Sequence, residues 1–163
     1  MIDEKKYLDI VSETKADITP FIDLAINQVN FRDILVKHLL HNDSINIYYH
    51  SYLILYQATK IIPSSFYCYW DKFSSLLNYD NSYHRNYGMD LIANLVVVDK
   101  DNLFESILAD YYKQLNDEKV ATIKHCITNS ATIIKSKPQL TTIIIARIID
   151  SLRVNDNSDR HQN

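Results

Sequence analysis

Apolar residues recur along this chain at helical intervals, in runs of about 15 residues set off by short polar turns. The spacing predicts a first short helix over 3–15, with Tyr7, Leu8 and Val11 on one side. Thr19-Pro20 reads as a cap followed by proline at the first helical position, opening a helix to Gln28 with Phe21, Leu24 and Ala25 apolar. Asn27–Asn30 allows either a break or a kink before the next run, Phe31 to Leu40. Helices are then expected over 44–60, 65–78, 82–97, 101–115, 118–136 and 138–153. Runs such as Val96–Val98 and Ile143–Ile145 are β-branched and favour strands on propensity alone. The length and spacing of the segments that hold them decide for helix, because strands are typically about 4–8 residues.

The helices are not independent. Asp43, Asp80 and Asp117 stand 37 residues apart, each after an apolar run ending in leucine and before a second apolar run. The same offset aligns Leu103 with Leu140, Ile107 with Ile144, and Leu115 with Leu152. A fixed period of this size marks stacked repeats, in which neither helix of a pair can bury its faces alone. The expectation is an all-α chain of about three helix pairs plus N-terminal helices. One domain is read over residues 1–153, followed by a polar tail, 154–163, expected to be disordered.

Composition narrows the classes. Gly88 is the one glycine of 163 residues, so no glycine-rich phosphate loop is present. Cys68 and Cys126 match neither a disulfide framework nor a zinc spacing. A net charge of −3 speaks against an extended nucleic-acid footprint. The polar, acidic start MIDEKKYLDI does not read as a signal peptide, and the apolar stretches fall short of a membrane span. A cytoplasmic protein without cofactor or bound metal is the expectation.

Residues 76–89, Leu-Leu-Asn-Tyr-Asp-Asn-Ser-Tyr-His-Arg-Asn-Tyr-Gly-Met, and 115–127, Leu-Asn-Asp-Glu-Lys-Val-Ala-Thr-Ile-Lys-His-Cys-Ile, resemble the HEAT-like repeat (ARM/HEAT superhelical) family. The pattern is an apolar first helix, a turn with Asp, and a basic residue opening the second helix. Asp80 with Arg85 and Asp117 with Lys124 match it; after Asp43 the basic position holds Tyr48 and Tyr49 instead. Over residues 31–153 the resemblance implies a right-handed α-α superhelix, a HEAT-like solenoid whose second helices line the concave face. Such folds serve as scaffolds, transport adaptors, cofactor-lyase chaperones and alkylpurine DNA glycosylases, so fold alone does not select a function.

Each candidate site has a plainer structural reading. The three aspartates suit helix capping. Arg85 and Lys124 suit ion pairs with Asp80 or Asp117, or a short basic ladder for an acidic partner. His38 and His41, three apart, have metal-chelating spacing but no evident third ligand. Glu13, Asp90 and Glu105 lack a nucleophile to serve, and His125 and Cys126, adjacent on a helix, point apart and form no dyad. Tyrosine is the suggestive residue. Tyr48, Tyr49, Tyr52 and Tyr56 crowd one helix and Tyr83 and Tyr87 the next second helix, and tyrosine is enriched at recognition surfaces. Residues 140–152 are apolar on more than one face.

The sequence therefore points to a non-catalytic protein-interaction scaffold. The expected contacts are Tyr48, Tyr49, Tyr52, Arg85, Tyr87, Asp90, His125 and Asn129. A protein partner is expected, and neither nucleic acid nor membrane. The alternatives are a nucleic-acid-binding, DNA-alkylation-repair-like protein, and an oligomerising domain that forms a homodimer through residues 140–152.

Overall fold

The chain is all-helical, with no strand among the described residues of a computed structural model that covers residues 3–160, side chains through Val154. Helices α1 (Glu4–Val11), α2 (Thr19–Asn27), α3 (Val29–His41) and α4 (Ile45–Ile61) come first. A 3₁₀ segment, Pro63–Tyr69, leads into α5 (Trp70–Ser75) and a 3₁₀ turn, Leu76–Asn78. Then follow α6 (Ser82–Leu95), α7 (Leu103–Tyr112) with a 3₁₀ turn Lys113–Asn116, α8 (Val120–Ser136) and α9 (Thr141–Arg160). Asn27–Asn30 is a break: Gln28 is extended between α2 and α3. Nothing in the sequence after Pro138 punctuates a helix with glycine or proline, and α9 runs past Val154 to Arg160. The rest of the polar tail, 161–163, lies outside the described residues.

The turns use different caps from those the aspartate period suggests. Asn42 Oδ1 accepts from Ser44 N at 2.9 Å, and Asn81 Oδ1 from Tyr83 N at 2.9 Å. Of the three aspartates only Asp117 plays this part, toward Lys119 N at 2.8 Å. Asp43 and Asp80 are exposed. A short Asx side chain reaches the amide two residues on, so the residue at that offset caps, whichever Asx it is. Thr19 is likewise not the cap of α2: Ile18 holds the N-cap position, and Asp17 Oδ1 accepts from Thr19 N at 3.0 Å. At the other end of the chain, α1 is capped by Asp3 and stops at Val11, short of the expected residue 15.

The chain forms two compact units, Met1–Lys72 and Phe73–Asn163. In the first, α4 packs against α1, α2 and α3. Its core holds an edge-packed ring cluster, with Tyr7 centroids 5.2 Å from Phe21 and 5.3 Å from Phe31. The Tyr7 hydroxyl meets Ser51 Oγ at 2.6 Å, and Ser51 in turn donates to Ile47 O. Arg32 lies buried at the end of α2, donating to Ala25 O and Ile26 O at 2.7 Å each and to Ser65 O at 3.1 Å. It thereby satisfies carbonyls that a helix end leaves open, and its guanidinium sits 4.9 Å from the Phe66 ring centre.

In the second unit α6 packs along α8, and the Leu76–Asn78 turn packs on α6. Gly88 makes the latter approach feasible: a Cβ there would lie 2.8 Å from Leu76 Cβ and 3.0 Å from Phe73 O. The Tyr–Ser arrangement recurs, with the Tyr112 hydroxyl 3.0 Å from Ser130 Oγ and Ser130 donating to Cys126 O. Ser51, Gly88 and Cys126 occupy the same place in α4, α6 and α8, six residues past the starts at Ile45, Ser82 and Val120. All three are small and buried.

Candidate functional site

The second unit brings three of the expected contact residues together. Asp90 faces α8 from α6, and its Oδ1 is 2.9 Å from His125 Nδ1 and accepts from Asn129 Nδ2 at 2.7 Å. His125 and Asn129 are four apart on α8, hence neighbours on one face. The Asp90 side chain is nearly buried, while that of His125 is 39% exposed. The bond to Asp90 raises the His125 pKa above its ordinary 6.5, against the opposing effect of partial burial. The carboxylate on Nδ1 fixes the ring and leaves its Nε2 edge as the unassigned donor or acceptor. Tyr111 lies beneath, fully buried, its hydroxyl donating to Met89 O at 3.0 Å.

Arg85, also on α6, is committed to the scaffold. Its Nε and Nη2 both reach Asp117 Oδ2, at 2.9 and 2.7 Å, and its Nη1 donates to Tyr79 O and Asp80 O. Of the two carboxylates that the sequence offers, Arg85 takes Asp117; Asp80 contributes only its carbonyl. Lys124 is exposed. Tyr87 is buried, with its ring 6.4 Å from that of Tyr83, which is 57% exposed.

In the first unit, Tyr48 and Tyr52 are buried and Tyr49 is 40% exposed. Tyr49, Tyr52 and Tyr56 form a ring ladder along α4, centroids 6.5 and 5.7 Å apart. Lys60 Nζ ends it, 4.0 Å over the Tyr56 ring. The ring area offered at the surface therefore comes from Tyr49 and Tyr83 more than from Tyr48, Tyr52 or Tyr87.

Other candidates resolve into structural roles. His38 Nε2 is 2.7 Å from Glu4 Oε1 and its Nδ1 faces Asn42, while His41 is exposed. Cys126 is buried against Tyr111 O at 3.7 Å, and burial pushes its thiol up to about 12, which keeps it protonated and poorly nucleophilic at neutral pH. Glu105 holds Lys137, with Oε2 2.8 Å from Nζ. Lys137 is the buried group the sequence reading passed over. Besides Glu105, its Nζ lies 3.0 Å from Asp99 Oδ2 and 3.1 Å from Asn102 Oδ1. Asp99 also caps α7 through Leu103 N and Phe104 N. The signal available was a Lys-Pro turn, Lys137-Pro138, that follows the Asp99-Lys100-Asp101 turn at the spacing of the three aspartates.

No helix among the described residues is long and apolar enough to cross a membrane. Comparison with protein-family models, with curated proteins and with solved structures found no match.

Proposed function

We propose that this chain is a HEAT-like, right-handed helical solenoid acting as a non-catalytic scaffold, which holds a partner protein against the faces of its second helices. One observation carries the reading. His125 and Asn129 are both bonded to Asp90, so an imidazole edge is held in fixed orientation on a helix face. A rigid polar group on α8, with the exposed Tyr83 on α6, which packs along it, suits recognition, where pre-organisation lowers the ordering cost of binding. The Arg85–Asp117 pair, 32 residues apart, supports the repeat reading, as do the regular starts of α4, α6 and α8.

The test is affinity capture from native cytosol with wild type beside Tyr49→Ala, Tyr83→Ala and His125→Ala. These residues are partly exposed, so their loss should spare the fold, unlike Tyr52 or Arg85. A protein partner recovered by wild type and lost in these variants is the expected result. Equal recovery by all forms removes the second-helix faces from consideration. Capture of DNA or RNA, with affinity falling steeply as salt rises, favours the nucleic-acid reading instead.

A second reading rests on α9. Ile145, Ile149 and Leu152, at i, i+4 and i+7, are each more than two-fifths exposed, a stripe suited to pairing with a second copy. Sedimentation equilibrium of wild type against Ile145→Lys/Ile149→Lys decides it: a concentration-dependent dimer abolished by the substitutions supports pairing, and a monomer at all concentrations rules it out.

A further inference from the structure

A groove of about 380 Å³ runs between α7 and α9 in the second unit. Ala109, Tyr112, Lys113 and Asn116 form one wall; Arg147, Asp150, Ser151 and Val154 form the other. Each wall is an i, i+3, i+4, i+7 set, so two helix faces confront each other along the groove.

The more buried cationic side chains Arg32, Arg85 and Lys137 are answered. Arg32 has three carbonyls, Arg85 has Asp117, and Lys137 has Asp99 and Glu105. Arg147 differs. Its Nε is buried without a hydrogen-bond partner, and it makes no ion pair among the described residues. Asp150, across one turn, faces Arg153 at 3.8 Å. A guanidinium offers a planar fork of donors matched to a carboxylate or phosphate, and a buried donor left without an acceptor costs free energy. An incoming anion removes that cost.

We propose that this groove binds an acidic segment of a partner protein, with Arg147 receiving one carboxylate and Lys113 supporting it from the rim. The charge selects the ligand. Among the lining side chains Lys113 and Arg147 stand against Asp150, a net single positive charge that one carboxylate neutralises; Lys113 Nζ also faces Asp110 Oδ1 at 3.4 Å. Ala109 and Val154 add apolar wall for a side chain flanking the acid. This site lies between first helices and goes beyond the second-helix reading, so either can fail without the other.

The test uses the ¹⁵N-labelled full chain and three probes: acetyl-Leu-Asp-Leu-amide, its neutral Leu-Asn-Leu counterpart, and inorganic phosphate. The Arg147 Nε–H resonance and the backbone amides of Lys113, Asn116 and Ser151 are followed by NMR. The acidic peptide should shift them saturably and the neutral one should not. Arg147→Gln should abolish the response, Arg147→Lys should weaken it about tenfold because the fork is lost while the charge stays, and Asp150→Asn should tighten it. The lysine and asparagine variants keep the test decisive should the glutamine variant misfold. Equal shifts with the neutral peptide, a response indifferent to Arg147, or saturable phosphate binding that displaces the acidic peptide would each overturn the proposal.

Discussion

Arg32 in the first unit and Lys137 in the second are both buried cations, and they are satisfied by different kinds of acceptor. Arg32 is held by three backbone carbonyls, where its spread of donors can reach the open end of α2. Lys137 is a compact ammonium and is held by two carboxylates and the Asn102 amide oxygen. Burial lowers its pKa, and the bonds to Glu105 and Asp99 more than offset that, leaving it raised. The first unit thus answers a buried charge with dipoles, and the second with opposing charges. The two should respond differently to charge removal.

The largest effect is expected from Lys137→Met. It strands Asp99, whose side chain is wholly buried, without its cation. Breaking a buried pair from one side costs about 3–5 kcal/mol, read by urea unfolding with hydrogen exchange localising the loss to residues 73–160. Lys137→Met with Asp99→Asn should recover part of it. Arg32→Met removes donors from carbonyls, which tolerate under-satisfaction better, and about 2 kcal/mol is expected. A greater loss from Arg32→Met than from Lys137→Met would reverse the contrast between the units.

The shared position of Ser51 and Gly88 gives the next test. Gly88→Ala gains about 1 kcal/mol of helix propensity, but its methyl meets Leu76 Cβ and the Phe73 carbonyl below ordinary contact distance. Overpacking typically costs about 1–3 kcal/mol, so against the propensity gain a net loss of up to about 2 kcal/mol is expected by thermal or urea unfolding. Ser51→Ala adds no bulk and leaves the Tyr7 hydroxyl without its partner, for a loss of about 1 kcal/mol. Stabilisation by Gly88→Ala would show that α6 can withdraw from the Leu76 turn.

Helix number and placement were legible in the sequence because apolar spacing is set by the core each helix must meet. The starts of α4, α6 and α8 at Ile45, Ser82 and Val120 keep nearly the spacing of the three aspartates. Aspartates misled as caps because any Asx at the right offset serves, and Asn42 and Asn81 were closer to it. The Asp90–His125–Asn129 cluster is partly legible, since the sequence reading names all three as expected contacts; the bonds between them depend on how α6 sits against α8. Lys137 was not legible, because lysine ordinarily marks solvent and only the converging acids of the Asp99 turn and α7 make it an interior residue. Tyrosine crowding likewise did not distinguish rings that pack, such as Tyr48 and Tyr52, from rings that face outward.

pH separates the units by sign. In the second, His125 has a folded pKa raised above 6.5 by Asp90. Its contribution is fully present below 6.5 and is lost as pH rises through the folded value. Lys124, nearby on α8, opposes the protonated ring. With its side chain 39% exposed, the term is worth about 1 kcal/mol or less. His125→Gln should flatten the decline in stability measured from pH 6 to 8, and an unchanged slope would mean that Asp90 gives His125⁺ no net support.

The smallest effect is the mirror case in the first unit. Glu4 accepts from Lys37 at 2.9 Å and lies 2.7 Å from His38 Nε2; the Lys37 bond, then the His38 bond, holds its pKa below 4.5. Its contribution is present above 4.5 and is lost as pH falls through the folded value. The pair is largely solvated, so about 0.5 kcal/mol or less is at stake. Hydrogen exchange of α1 amides should therefore quicken between pH 5 and 3 relative to an intrinsic-rate reference, and Glu4→Gln should remove that acid step while leaving the alkaline behaviour of the second unit untouched. If Glu4→Gln instead shifts the pH 6–8 response of the second unit's own amides, the two units do not titrate independently, and the contrast drawn from Arg32 and Lys137 cannot be assigned to one unit or the other.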